Sequence, residues 1–150
     1  MTLYIRLFGL FKVPMIFYCK PKVVSIDKDS VTVKIPLRRR TKNHVGSMYL
    51  GALSVGADIT SALLALELIK SSDKKIIPIF KDFKANYFKR AEGDVHFVCK
   101  EGKKISVMVE DTLKSGKRIN EKIIVNAYVP KYNINEPVAT FILTLSLKAY

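Results

Sequence analysis

Asp58 is a carboxylate that lies among apolar and small residues, in the proline-free run from Asn43 to Lys70. An ionised carboxylate in apolar surroundings is costly unless it is paired, hydrogen-bonded or facing a solvated cleft. Asp58 is therefore either satisfied by a nearby backbone or basic group, or a functional carboxylate whose pKa its surroundings perturb. The residues around it leave both interpretations open.

The run around Asp58 has the spacing of a helix, which we expect from Met48 to Lys70. Its apolar positions include Leu53, Ala57, Leu64 and Leu68. Most other positions are also apolar or small, which predicts a helix that is buried on nearly all sides and wrapped by a sheet. Gly51 precedes Asp58 by two helical turns, so the two residues share one face about 10 Å apart.

The chain is strongly basic, with 26 Lys and Arg residues against 13 Asp and Glu residues and a formal net charge of +13. This charge indicates a polyanionic partner: nucleic acid, an anionic membrane or a phosphate-bearing ligand. The absence of any helix-turn-helix, zinc-finger or aromatic RNA-binding pattern argues against nucleic acid. Residues 38–42 hold four of the cations just before Asn43, as a solvated loop or as part of an anion site at a helix N-terminus.

Length and composition predict one domain, residues 1–150, because 150 residues with 49% hydrophobic side chains can bury a substantial core. Cys19 and Cys99 lie far apart and match no metal-ligand spacing, so we expect neither a disulfide framework nor a metal site. The expected location is a reducing one, the cytoplasm.

Residues 2–19 are apolar and aromatic but are interrupted by Arg6, Lys12 and Pro14. The segment is too short and too interrupted to span a membrane, and it lacks the features of a signal peptide. We expect a short helix broken near Pro14. It either packs on the domain and caps the core, or contacts a membrane surface with its aromatic and basic side chains, which would associate the protein peripherally with a membrane.

Hydrophobic periodicity predicts the remaining elements. We expect a hairpin of strands at 22–27 and 31–37, a second hairpin of strands at 79–88 and 95–100, an extra helix near residues 102–115 capped by Gly116, and final strands at 119–129 and 138–147. The predicted class is α+β, with a curved, mainly antiparallel sheet of about six strands wrapped around one long central helix.

This layout and the residues from Asn43 to Asp58 resemble the hotdog-fold acyl-CoA thioesterases of the phenylacetate-pathway type. Those enzymes carry Asn, then Gly three residues on, His six on, Gly-Gly at seven and eight, and Asp fifteen on. Here Asn43, Gly46, Gly51 and Asp58 stand at offsets zero, three, eight and fifteen. Residues 36–46 and the extra helix also resemble an uncharacterised branch of that superfamily, known as a domain of unknown function.

Two residues depart from the thioesterase pattern: Tyr49 stands in place of its histidine, and Leu50 in place of its first glycine. A second segment, residues 86–94, looks like the family's strand and turn after the helix, with Arg90 in place of its usual proline. The resemblance thus covers most of the chain.

The resemblance implies a site shared across a homodimer, which could pair further into a tetramer. An N–H near Gly51, at the positive end of the helix, would polarise the thioester carbonyl, and Asp58 from the partner chain would act as general base or nucleophile. Asn43 would orient the water or the carbonyl. Tyr49 and Ser61 are candidates for binding the substrate in the same pocket. The alternatives are a core position for Tyr49 and a hydrogen bond from Ser61 to the backbone of its own helix.

The resemblance also gives the net charge a candidate role, because coenzyme A carries a pyrophosphate and a 3′-phosphate. The cations expected to bind these phosphates are Arg38, Arg39, Arg40, Lys42, Lys89 and Arg90. We expect no cofactor apart from coenzyme A as part of the substrate. The expected partner is acyl-CoA or an acidic acyl carrier protein.

Three classes of function follow from these residues. The first is a thioesterase that hydrolyses acyl-CoA or acyl-carrier thioesters. The second is a non-catalytic acyl-CoA or lipid-binding hotdog protein, which the departures at Tyr49 and Leu50 motivate. The third is a peripheral membrane or polyanion-binding module that uses residues 1–19 and the surplus cations.

Overall fold

Four helices and six strands follow one another in the computed structural model, which describes residues 1–150. The helices are α1 (Thr2–Phe11), α2 (Pro14–Cys19), α3 (Leu50–Ile69) and α4 (Gly102–Ser115). The strands are β1 (Lys22–Ile26), β2 (Val31–Ile35), β3 (Ile76–Tyr87), β4 (Val95–Cys99), β5 (Ile119–Tyr128) and β6 (Ala139–Ala149). This order confirms the predicted succession of elements, including the extra helix before Gly116.

The six strands form one antiparallel sheet in the order β1-β2-β4-β5-β6-β3. The β1–β2 hairpin is confirmed, but the predicted hairpin between β3 and β4 is wrong. β4 lies between β2 and β5, because its inward residues Val95, Phe97 and Cys99 are completely buried and need neighbours on both sides. β3 instead pairs with β6 alone, at the opposite edge of the sheet from β1.

β3 has the properties of an edge strand. It begins at Ile76, before the predicted start at residue 79. It also contains Pro78, which an edge strand tolerates because the backbone on its free side pairs with no other strand and needs no N–H donors there. A bulge interrupts its pairing with β6 between Phe80 and Phe83. At the bulge, the Asp82 carboxylate accepts hydrogen bonds from the N–H and the hydroxyl of Thr144, at 3.2 and 2.7 Å.

The concave side of the sheet wraps α3. Small residues let the sheet approach this helix closely: Gly56 lies directly against the ring of Phe97, which itself packs near Phe141 at a centroid distance of 6.3 Å. Burying one such aromatic or Leu side chain contributes roughly 1.5–3 kcal/mol, so the contact between helix and sheet carries much of the core.

The burial of α3 is less complete than its composition predicts. Eleven of its 20 residues are buried, whereas Leu50 and Leu66 are exposed and Asp58 is half-buried. α3 is also the one helix with the length and hydropathy to cross a membrane, and 56% of that apolar segment is buried inside the protein. The uncovered face of α3 is the face that carries Asp58.

The helix breaks near Pro14 as predicted, and Pro14 is the first residue of α2, where its missing N–H costs nothing. α1 and α2 cross at Gly9, where an added Cβ would lie 2.6 Å from the backbone nitrogen of Phe17. Gly116 ends α4 with φ +64°, as its sequence position predicts.

Gly56→Ala is expected to destabilise the fold by about 1–3 kcal/mol, because the new methyl would lie 2.2 Å from the buried Phe97 ring. Gly51→Ala, in the same helix, would meet only the exposed ring of Tyr49, which can turn away, so its effect should stay within about 0.5 kcal/mol. Urea denaturation measures both. Equal losses would contradict the close packing of α3 on the sheet.

Candidate active site at the start of the long helix

The loop before α3 is organised by Asn43. Its Oδ1 accepts hydrogen bonds from the N–H groups of Val45 and Ser47, at 3.0 and 3.1 Å, as in an Asx turn. Gly46 completes the loop with φ +85°, a conformation that favours glycine. These bonds fix the side chain and leave its amide nitrogen without a partner in the chain, so Asn43 can still donate to a bound molecule.

The N-terminus of α3 has free donors. Tyr49 provides no side-chain cap, and the N–H groups of Leu50, Gly51 and Ala52 have no acceptor within the chain. The next N–H, that of Leu53, bonds the Tyr49 carbonyl at 3.0 Å. Unpaired N–H groups at the positive end of a 20-residue helix form a favourable environment for an anion or a polarised carbonyl oxygen.

Backbone hydrogen bonds tie three loops together around this helix end. The Met48 N–H donates to the Ala91 carbonyl at 2.8 Å, and the Tyr49 N–H donates to the Thr41 carbonyl at 2.7 Å. The basic residues 38–42, the loop that Asn43 organises and the segment after β3 therefore meet at one place, although the last of them is more than 40 residues from the other two in sequence.

A cleft of about 380 Å³ opens where these loops meet. Its walls are Asn43, Ser47, Met48, Leu50, Leu53 and residues 87–91. Of the residues that the sequence assigns to a site, Asn43, Lys89 and Arg90 lie in these walls. Most of the lining is apolar, with the free donors of α3 at one side, which suits an acyl group joined to a polar head.

Ser47 is a cleft residue that the sequence analysis missed. Only 3% of this residue is exposed, and its buried hydroxyl has no hydrogen-bond partner. A buried hydroxyl without a partner is costly unless a bound molecule or water completes it. No sequence signal marks this serine, because its isolation depends on the loop that Asn43 folds around it.

The Asp58 carboxylate is unpaired. No ion pair or hydrogen bond reaches it within the chain, and burial raises its pKa above the ordinary value. The interpretation in which a neighbouring group satisfies Asp58 therefore finds no partner in this chain. Glu67, the other acidic residue of α3, differs because it pairs with Lys70.

Asp58 does not line the cleft of its own chain. It lies one helical turn beyond Ser54, close to where Tyr87 of β3 approaches α3. Burial raises the pKa of the Tyr87 phenol, and a hydrogen bond with the Ser54 side chain opposes that rise. Tyr87 also packs edge-on against Phe141 at 6.0 Å. Tyr87 itself lines the cleft.

The cations that the sequence assigns to phosphate binding differ in whether they already contact another side chain. Arg38 lies 3.8 Å from the Asp94 carboxylate, which Lys34 also approaches at 2.9 Å. Burial alone would raise the pKa of Asp94, but Lys34 and the Leu37 N–H lower it below its usual value. Arg38 is thus partly committed to a structural contact.

Arg40 lies over the ring of Tyr18 at 5.2 Å, Lys89 lies over Tyr132 at 5.8 Å, and Arg90 pairs with Glu92. Such exposed contacts are weak and are exchanged easily for a phosphate. Arg39 and Lys42 are exposed and make no ion pair.

Ser61 and Tyr49 lie outside the cleft walls. Ser61 is completely buried, and its hydroxyl donates to the carbonyls of Ala57 and Asp58 at 3.0 and 3.1 Å. This back-bonding gives Ser61 a structural role in the helix. Tyr49 is 55% exposed, and its ring covers Gly51 at the rim of the helix end. No three His, Cys, Asp or Glu side chains come close enough to hold a metal.

Residues 4–131 match the model of DUF4442, a domain of unknown function. The chain belongs to the DUF4442 family. This match covers most of the 150 residues and agrees with the predicted resemblance to an uncharacterised branch of the hotdog superfamily. No curated protein matches the sequence.

Solved structures share the whole architecture of this DUF4442 protein. One is a protein of unknown function from Pseudomonas aeruginosa, described as a probable thioesterase, at TM-score 0.81 and 20% identity over 100% of this chain and 97% of that one. A protein of unknown function from Chlorobaculum tepidum has TM-score 0.84 at 12% identity, over 99% and 94%. A thioesterase from Haemophilus influenzae has TM-score 0.69 at 13% identity, over 95% and 88%. These likenesses show that the chain has the hotdog fold.

Asp58→Asn is expected to stabilise the protein at neutral pH. Because folding raises the pKa of Asp58, the folded state binds its proton more tightly than the unfolded chain, and the ionised group costs stability above the folded pKa. The gain from Asn should shrink as the pH falls through that pKa and vanish below the unfolded value. Denaturation at a series of pH values measures it.

Glu67→Gln is the matched control, with the same change of charge on the same helix. Glu67 pairs with Lys70, so its substitution should give no gain at neutral pH. A loss of stability in Asp58→Asn at neutral pH would mean that the carboxylate has a stabilising partner after all.

Proposed function

We propose that this DUF4442 protein hydrolyses acyl thioesters, of coenzyme A or of an acyl carrier protein, at a site completed by a second copy of the chain. The observation that carries the proposal is the unpaired Asp58 carboxylate on the uncovered face of α3. It lies two turns from a helix N-terminus with free N–H groups. A base and an oxyanion site are the two parts that hydrolysis of a thioester requires.

In the proposed reaction, the Asp58 carboxylate of one chain takes a proton from water as the water oxygen adds to the thioester carbonyl carbon. The carbonyl oxygen becomes an oxyanion, which the free N–H groups at Leu50–Ala52 of the other chain stabilise. The carbon–sulfur bond then breaks, the carboxylic acid is released, and the thiolate takes the proton back from Asp58. A raised pKa suits Asp58 to accept and return a proton.

Two features support a homodimer. β3 is an edge strand with exposed apolar side chains, among them Ile79 and Phe83, and an unpaired edge of this kind favours pairing with another strand. The exposed side chains of Leu50 and Leu66 flank Asp58 on α3. A second copy covering this face would bury them and bring each Asp58 toward the cleft of the other chain.

The cations around the cleft support binding of the coenzyme A phosphates. Lys89 and Arg90 line the cleft itself, and Arg39 and Lys42 lie without ion pairs in the adjoining loop. We assign Arg38 and Arg40 a secondary part, because each already contacts a neighbour. The same positive surface suits an acidic acyl carrier protein, and the buried, free Cys19 and Cys99 fit a cytoplasmic protein.

Asp58→Asn is expected to lower kcat/KM for acyl-CoA hydrolysis by about 10²- to 10⁴-fold, the usual contribution of a general base. Release of free thiol over a panel of acyl-CoAs of different chain length measures the effect. Glu67→Gln should hydrolyse at the wild-type rate. Unchanged turnover in Asp58→Asn would remove Asp58 from the mechanism, and tight acyl-CoA binding without thiol release in the wild type would identify a non-catalytic binder.

Ser47→Ala is expected to lower kcat/KM about tenfold, because its hydroxyl is free to bond the substrate or the attacking water. Ser61→Ala removes the same group from a buried serine whose hydroxyl already bonds the backbone, so its kinetics should change little. The two variants are compared in the same thiol-release assay. The opposite ranking would restore Ser61 to the site and exclude Ser47.

A further inference from the structure

The N-terminal helix pair, α1 with α2, presents an apolar surface to solvent. Ten of the first 18 residues are large apolar side chains that remain exposed, and the exposed fraction reaches 70% for Leu3 and 75% for Phe11. A helix on a protein surface normally turns polar side chains outward. Here the outward face of α1 carries Leu3, Leu7, Leu10 and Phe11 at helical spacing, while only Ile5 and Gly9 face the core.

The charges within the helix pair and directly after it in the chain all have one sign. Glu67 of α3 adjoins Met1 and Tyr4 of this segment, and its carboxylate is paired with Lys70. No acidic residue occurs before Asp27, whereas Arg6, Lys12, Lys20 and Lys22 lie within or beside the helix pair. Aromatic side chains stand among them, with Tyr4 and Phe8 stacked at 6.5 Å. Exposed leucines, interfacial aromatics and surrounding cations are the features of helices that lie in the surface of an anionic bilayer.

We propose that α1 and α2 dock this protein on the surface of an anionic lipid bilayer, with the outward face of α1 inserted at the level of the headgroups. The cations around the helix pair bind lipid phosphates, and the apolar side chains enter the boundary of the acyl chains. This is a peripheral contact, in which neither helix crosses the membrane, because α1 has ten residues and α2 has six.

A second copy of the chain is the alternative partner for this apolar surface. Self-association through this surface would bring Arg6, Lys12 and their neighbours against the same cations of the partner, which is unfavourable in a chain of net charge +13. An anionic bilayer meets the same cations with opposite charge. Charge complementarity therefore favours lipid.

The docking surface is compatible with the proposed dimer. The Val23 N–H of β1 donates to the Thr2 hydroxyl oxygen at 3.0 Å, and the Arg6 Nε–H donates to the Pro21 carbonyl at 3.2 Å. These bonds attach α1 to the β1 end of the sheet, whereas the unpaired edge of β3 is the other end. The two surfaces adjoin where Met1 and Tyr4 approach Leu66 of α3. The outward face of α1, with Leu3 and Phe11, is left to bind lipid while β3 pairs with a second chain.

Vesicle co-sedimentation tests the proposal. We expect the full chain to bind vesicles of phosphatidylcholine with about one-third phosphatidylserine at least tenfold better than vesicles of phosphatidylcholine alone. Leu3→Ser with Phe11→Ser should weaken binding about tenfold or more, since both side chains would insert. Val107→Ser with Ile134→Ser removes two similarly exposed apolar side chains elsewhere and should leave binding unchanged.

Two double lysine variants test how much the local positive charge contributes to vesicle binding. Lys12→Gln with Lys20→Gln should weaken binding to anionic vesicles about tenfold. Lys103→Gln with Lys117→Gln removes the same number of charges far from the helix pair, one in α4 and one just after it. This control should weaken binding by less than about threefold. Equal losses in the two pairs would mean that net charge, and not this surface, attracts the protein.

Circular dichroism checks that each variant is folded, and light scattering gives the mass of the particle in solution. A folded Leu3→Ser, Phe11→Ser variant of wild-type mass that no longer binds vesicles supports docking on lipid. A fall in mass for that variant would show instead that a second copy covers the surface. Wild-type binding by the variant would overturn the proposal. We expect the Leu3→Ser, Phe11→Ser variant to release thiol from soluble acyl-CoA at the wild-type rate even when it no longer binds vesicles. This result separates lipid docking from the proposed hydrolysis.

Discussion

The close packing of α3 against the concave sheet is the interaction on which the rest of the structure depends. Gly56 lies against Phe97, so the helix sits deep enough for the sheet to curve around it. The packing buries one side of α3 and leaves a strip with Leu50, Asp58 and Leu66 uncovered. It also fixes the N-terminus of α3 against the loops at Thr41 and Ala91, where its free N–H groups meet the cleft.

The candidate site combines groups that a fold optimised only for stability would pair. Asp58 has no counter-charge, Ser47 has no hydrogen-bond partner, and the first N–H groups of α3 have no cap. Each of these groups costs free energy when it is left alone. Ser47 and the free N–H groups lie at the start of α3, and Asp58 lies two turns further along its uncovered face. Unsatisfied groups of this kind are characteristic of a site that a bound molecule completes. Glu67 and Ser61, on the same helix, are satisfied.

Two surfaces of the molecule remain apolar in the single chain, and they differ in electrostatics. The surface along β3 and the open strip of α3 carries charges of both signs, with Asp58 and Asp82 beside Lys81 and Lys84, and it suits a second copy. Residues 1–22, which include α1 and α2, carry cations and no acidic residue, and their exposed surface suits an anionic bilayer. Large exposed apolar patches of this kind mark interaction sites in soluble folds.

The sequence by itself determined the order of elements, the central helix and the motif positions, because these depend on local periodicity and spacing. Thus the extra helix before Gly116 and the Asn43-to-Asp58 pattern were predictable. Strand pairing was not: β3 and β4 are adjacent in the chain, but burial of Phe97 places β4 in the middle of the sheet. Only the tertiary structure decided that Ser61 is buried and Ser47 lines the cleft, because both are serines in small-residue surroundings and differ only in what packs around them.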